Sequence, residues 1–156
     1  MSKLKLIAEA NSHEIKFSRE FDAPVERVFK TYTDPALVPQ WWGMASSKTI
    51  VDKMDVKKGG LWRYVQIEAD GSEFAFNGVY HDVVPGQRIV HTFEFEGMPG
   101  HVLLETLTFE EKDGKTLITD SSVFQTVADR DGMIASGMEV GTEESFNRLE
   151  SLLKRL

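Results

Sequence analysis

Between residues 13 and 21 the apolar side chains Ile15, Phe17 and Phe21 share one parity, with Arg19 interrupting them. That alternation predicts a strand with one buried face. Asp22 then offers a side-chain cap, and Pro24 sits in a first helical turn, where its missing N–H costs nothing. Val25, Val28, Phe29 and Tyr32 follow at helical spacing and predict a short amphipathic helix. Asp34-Pro35 repeats the start signal, so a second short helix is expected to run into Gln40-Trp41-Trp42-Gly43. From residue 49 to 125 the texture changes. Turn signals recur at Lys58-Gly59-Gly60, Asp70-Gly71, Pro85-Gly86, residues 97–100 and Asp113-Gly114, separating stretches rich in Val, Ile, Thr and aromatics. Turns this short join antiparallel neighbours, because parallel crossovers need a dozen or more residues. The middle of the chain is therefore a meander, with residues 49–54 as an additional strand.

The last thirty residues read as helix. Thr126 and Asp129 have the spacing of a capping box, with Asp129 reaching back. Ile134, Met138, Gly141, Ser145, Leu149, Leu152 and Leu156 then recur at steps of three or four, and Gly137 is placed to break or bend the helix near its start. These elements can bury their apolar faces together if a curved antiparallel sheet wraps around the long C-terminal helix, giving an α+β domain. Residues 1–12 are expected to be a flexible arm and residues 13–156 a single domain.

The facing surfaces of that arrangement are unequal. The strands carry Trp62 and Tyr64; Phe74, Phe76 and Tyr80; and His91, Phe93 and Phe95, each set on one face of its strand. Opposite them, the C-terminal half of the helix stripe is leucine, while the N-terminal half is Gly137, Met138, Gly141, Thr142 and Ser145. Glycine inside a helix costs about 1 kcal/mol relative to alanine. Two of them in one turn serve either close approach to the sheet or room for another molecule. Met133 and Met138 border the region, and methionine adapts to irregular occupants.

The composition removes several functions. Of 156 residues, 41% are hydrophobic and 28% charged, with a net charge of −7. An acidic chain lacks the basic footprint that nucleic acid requires and the polybasic segments that hold a protein on an anionic membrane. The absence of cysteine excludes disulfides, thiolate metal sites and a Cys nucleophile. No apolar run reaches the roughly 18 residues of a spanning helix, and the start lacks a signal peptide's apolar core. A soluble, cytoplasmic protein is expected.

The series Arg19-Glu20-Phe21-Asp22-Ala23-Pro24, Val25-Glu26-Arg27-Val28-Phe29, Tyr32-Thr33-Asp34-Pro35 and Trp41-Trp42-Gly43 resembles the activator of heat-shock chaperone ATPase (Aha-type) family. That family belongs to the START-like, Bet v 1-like (SRPBCC) superfamily. Val84-Pro85-Gly86-Gln87-Arg88-Ile89-Val90, Leu107-Thr108-Phe109 and Ser136-Gly137-Met138-Glu139 are similar as well. The resemblance implies a helix-grip fold with an apolar cavity between sheet and helix. It also implies relatives that bind lipids, hormones or polyketides, some that act as cyclases, dehydratases or hydrolases, and a chaperone partner for the founding domain. Family members often carry tryptophan after the Gly141 position, where this chain has Thr142. If that helix face points inward, the smaller side chain enlarges the cavity.

The four histidines, at 13, 81, 91 and 101, are scattered without a metal-binding motif, so no metal is expected. No phosphate or dinucleotide cradle occurs, so no cofactor is expected, and no catalytic residue is assigned. His91 shares parity with Ile89, Phe93 and Phe95, from where it can orient a ligand or act as a base. Glu105 shares parity with Leu103, Leu107 and Phe109, but a one-residue slip in the hairpin at 97–100 would turn it away from His91. Of the two adjacent indoles, either one enters the core while the other borders the pocket mouth or the surface, or both anchor the small helices onto the sheet; Trp42 is the one assigned to the binding surface. The expected function is binding of a small hydrophobic or amphipathic molecule, with a link to stress. Trp42, Trp62, Tyr64, Phe76, Tyr80, His91, Phe93, Met133, Met138 and Thr142 form the expected binding surface. An enzyme using the same cavity and a chaperone-interacting module are the alternatives. The chain is expected to be a monomer or homodimer.

Overall fold

Eight strands form one antiparallel sheet in the computed structural model, which describes residues 3–156. Met1 and Ser2, the start of the expected arm, lie outside the described residues. The strands are β1 Lys5–Ile7, β2 Glu14–Phe21, β3 Lys48–Met54, β4 Leu61–Ile67, β5 Glu73–Val84, β6 Arg88–Phe95, β7 Val102–Lys112 and β8 Lys115–Phe124. Their order across the sheet is β1-β2-β8-β7-β6-β5-β4-β3. Each expected turn between residues 55 and 114 falls between two strands, so β3 to β8 are a meander, and β2 joins it against β8. The arm is not loose throughout. Leu6 pairs with Phe17, and Leu4 and Leu6 pack on the core, so apolar contact orders part of it as an edge strand.

Helix α1 (Val25–Thr33) follows β2 as expected, but Asp22 does not cap it. Pro24 is the N-cap residue, and the Val25 N–H instead donates to Glu111 Oε1 of β7 at 2.7 Å. The second expected helix is only a 3-10 turn, Val38–Gln40. Proline explains the difference. Pro39 has no N–H to donate and disfavours helical backbone at Val38. Asp34 also turns the chain by accepting from the Ala36 N–H at 2.8 Å.

The C-terminal segment is two helices, α2 (Val127–Ala135) and α3 (Met138–Leu153). Thr126 caps α2 by accepting the Asp129 N–H at 3.0 Å, whereas the Asp129 carboxylate turns to His101 at 3.0 Å instead of reaching back. Gly137, with φ of +87°, stands between the helices and not within one. That left-handed conformation is what only glycine adopts at little cost. The long stripe therefore breaks: Ile134 is exposed on α2, and Leu156 lies exposed beyond α3.

Phe146, Leu149, Leu152 and Leu153 press α3 onto Ile15, Phe17, Phe21, Val28 and Ile118. Phe146 is the centre of this block, with ring centroids 5.3 Å from Phe21, 6.0 Å from Phe17 and 6.4 Å from Trp41. Arg19 keeps the parity of its apolar neighbours and is buried at 2% exposure, donating to Asn147 Oδ1 of α3 at 2.8 Å. Burial lowers its pKa, while the charges of Glu150 and Glu143 oppose the shift. Phe146→Ala should lower the unfolding free energy by about 3–5 kcal/mol, as deletion of a buried aromatic ring does, measured by urea titration at constant m-value.

Candidate functional site

N-terminal to Phe146, α3 stands off the sheet, and a cavity of about 380 Å³ lies between them. All ten residues of the expected binding surface line it: Trp42, Trp62, Tyr64, Phe76, Tyr80, His91, Phe93, Met133, Met138 and Thr142. The small-residue half of α3 explains the space. Gly141, Thr142 and Ser145 face the cavity, and a side chain at Gly141 would meet only Met44. Phe74 and Phe95 share the inward parity but meet each other, tilted, at 6.1 Å outside the cavity lining, and Phe74 is 42% exposed.

The segment after the 3-10 turn is fastened to α3. Gly43 N–H donates to Ser145 Oγ at 3.0 Å, and its carbonyl accepts from Ser145 at 3.0 Å and from Arg148 at 2.8 Å. Ala45 N–H donates to Glu144 at 2.7 Å. The tryptophans divide between core and pocket. Trp41 is buried and donates to the Thr31 carbonyl at 2.8 Å, while half-buried Trp42 meets Tyr64 and Phe76 edge-on at 5.1 and 5.4 Å.

Within this aromatic lining the only acidic or basic side chains, among the described residues, are His91, Glu105 and Asp120. They form one row on three adjacent strands. The register opposes His91 to Glu105, Glu105 to Ser122 and Leu107 to Asp120. His91 Nε2 lies 2.9 Å from Glu105 Oε1, Glu105 and Asp120 hydrogen-bond to each other, and Ser122 donates to Asp120 Oδ1 at 2.9 Å. The His91 Nδ1–H donates to the Thr92 carbonyl at 3.0 Å, so both ring nitrogens are engaged. A carbonyl and a carboxylate can only accept, and two donors make the ring an imidazolium.

The electrostatics agree. Burial disfavours a charged His91, yet the Glu105 charge and the hydrogen bonds of Glu105 and Thr92 raise its pKa. Burial alone would raise the Glu105 carboxyl; the bond from Asp120 and the charge and bond of His91 hold it well below the usual carboxylate range. Asp120 goes the other way, pushed far up by burial and by the Glu105 charge, and stays protonated. The row is thus an imidazolium, a carboxylate and a carboxylic acid.

Around it stand three tyrosines. Burial raises Tyr64, and pushes Tyr80 up to about 12 against the opposing bond from Tyr64. Burial and then the nearby carboxyl groups of Asp120 and Glu105 raise Tyr32. Trp62 donates to the same Thr92 carbonyl at 3.1 Å, and reaches it only across Gly78, where a Cβ would collide with both groups.

Sequence reasoning named His91 and left the face of Glu105 open; it missed Asp120, Ser122 and Tyr32. A signal for two of them existed, since Asp120 and Ser122 share parity with Thr116, Ile118 and Phe124, all buried on β8.

The family of Activator of Hsp90 ATPase homolog 1-like proteins matches residues 22–154. Among solved structures, a structural-genomics target from Rhodobacter sphaeroides is 26% identical with a TM-score of 0.91, covering 99% of each chain. One from Staphylococcus epidermidis is 31% identical with a TM-score of 0.80, covering 94% of this chain and 93% of its own. One from Arthrobacter aurescens is 22% identical with a TM-score of 0.89, covering 97% of this chain and 92% of its own. No curated protein sequence matches at a significant level. No helix among the described residues is long and apolar enough to cross a membrane.

His91 and Asp120 hold their protons more tightly folded than unfolded. Each therefore contributes stability at low pH that is lost as pH rises, from 6.5 for His91 and from 3.8 for Asp120, through the raised folded values. Tm should decline as pH rises above 6.5, and the decline should be shallower in His91→Gln; equal slopes in calorimetry would contradict the imidazolium. Gly78→Ala should cost about 1–3 kcal/mol through overpacking and shift the Trp62 emission, read by denaturant titration and fluorescence.

Proposed function

This chain belongs to the Activator of Hsp90 ATPase homolog 1-like family, within the Bet v 1-like (SRPBCC) superfamily, and we propose that it binds a small, largely apolar molecule bearing one neutral polar group. One observation carries this reading: the acidic and basic side chains of the cavity are gathered in a single row, in a wall that is otherwise mostly aromatic and aliphatic. Even answered in place, such a row costs desolvation that an apolar filling would avoid, so its position on a cavity wall favours a guest that it orients. A volume of about 380 Å³ falls within the size of small-molecule sites. Trp42, Trp62, Phe76 and Phe93 supply apolar contact, and Met133, Met138 and Met44 line the helix and loop side with adaptable side chains.

The row also argues for the character of the guest. Its formal charges cancel, so a neutral hydroxyl or carbonyl is preferred over a free ion, which would lack a counter-charge. The apolar majority of the wall sets the rest of the molecule as hydrocarbon or aromatic.

Native mass spectrometry of the purified protein, before and after denaturing extraction, should release a small apolar compound. In parallel, Thr142→Trp should fill the cavity from α3 and weaken binding of the neutral fluorophore N-phenyl-1-naphthylamine at least tenfold, about 1.4 kcal/mol, with the fold retained by circular dichroism. No released compound, together with unchanged fluorophore affinity, would end the binding reading.

A further inference from the structure

Tyr32 is counted in the apolar stripe of α1, yet its hydroxyl finds no hydrogen-bond partner among the described residues. It lines the cavity and lies within electrostatic reach of the Glu105 and Asp120 carboxyl groups. An unpaired phenol in an apolar interior wants an acceptor. The same wall presents a carboxylate, and a carboxylic acid hydrogen-bonded to it.

Resting on the reading of the cavity as a ligand site, we propose that this row transfers protons at the carbon beside the carbonyl of a bound ketone or aldehyde. The Tyr32 O–H binds the carbonyl oxygen, and the Glu105 carboxylate is the base.

The step balances without any further reactant. Glu105 takes the α-proton as the C–H bond breaks. Its electron pair forms the carbon–carbon double bond, and the carbonyl π pair moves onto oxygen, where Tyr32 stabilises the enolate by hydrogen bonding or by giving up its proton. The captured proton sits on Glu105 beside the proton of Asp120, and the two exchange along their existing hydrogen bond. Reversal returns a proton to carbon and restores the row. Donors aimed at a developing oxyanion in a water-poor site are a large source of catalysis, and a positioned base adds to it.

Positioning falls to His91 and Asp120. His91 is tied at Nδ1 to Thr92, so its Nε2–H is fixed on one oxygen of Glu105. Asp120 is anchored by Ser122. The titratable groups facing Glu105 are His91 from β6, Asp120 from β8, Tyr32 from α1, Tyr64 from β4 and Tyr80 from β5; the lining residues of α3 carry none. With its counter-ion removed in His91→Gln, Glu105 should titrate at higher pH. The acid limb of the exchange rate should then move upward, which a merely structural role for His91 would not produce.

The experiment is deuterium exchange into 2-tetralone, a neutral bicyclic ketone, followed by proton NMR in D2O, with binding read from tryptophan emission. The protein should accelerate loss of the α-proton signals over buffer. Glu105→Gln should lose about 10²-fold or more of the acceleration while still binding the ketone. Tyr32→Phe, which removes a hydroxyl bonded to nothing and so leaves the fold intact, should lose about 10²–10³-fold. Ketone bound without accelerated exchange, or exchange surviving in the Tyr32→Phe protein, overturns the proposal and leaves ligand binding standing. Failure to bind 2-tetralone or N-phenyl-1-naphthylamine at all overturns both.

Discussion

A carboxylate placed among aromatic rings is stable only if its charge is answered on the spot, since removing it from water costs several kcal/mol. Glu105 is answered from both sides, by the imidazolium of His91 and by the acid proton of Asp120. The strand register makes this possible. Three adjacent strands bring one residue each to the same inner stripe, so donors stand next to the charge without any loop having to place them. The rest of the cavity follows from that arrangement: aromatics surround the row, and small residues of α3 keep the helix off it.

The two ends of the molecule divide the work. Where Phe146 and the leucines of α3 meet β2 and β8, the interior is solid and supplies stability. N-terminal to Phe146 the same helix stands off the sheet, and polar bonds from Glu144, Ser145 and Arg148 to the 43–45 segment fasten it there. Gly137 frees α2 to change direction there, so Met133 reaches the cavity from a separate helix.

Much of this was legible in the sequence, and the reasons are specific. Turn residues such as Asp70-Gly71 and Asp113-Gly114 leave no topology but a meander between them, and alternation alone placed Trp62, Tyr64, Tyr80, His91 and Phe93 on one face. The helical details were less readable. Pro39 unmade the second helix, and Gly137 divided a stripe whose periodicity runs on unbroken in sequence. The arm gained a strand because Leu6 could pair across Phe17. The partners of Glu105 were hidden for another reason: parity names a face within one strand, whereas the row depends on register between strands, which the six-residue link at 96–101 does not announce. Tyr32 was counted as core because a phenol and a phenyl ring give the same periodicity.

The shared Thr92 carbonyl ties two rings of different character together. Trp62 and His91 both donate to it, and their centroids lie 5.5 Å apart, nearly perpendicular. A charge on the imidazole alters the electric field at the indole this close by, so the emission of Trp62 responds to the protonation of the ring. The molecule therefore contains its own optical gauge, one that reads the protonation of its interior without dye or label.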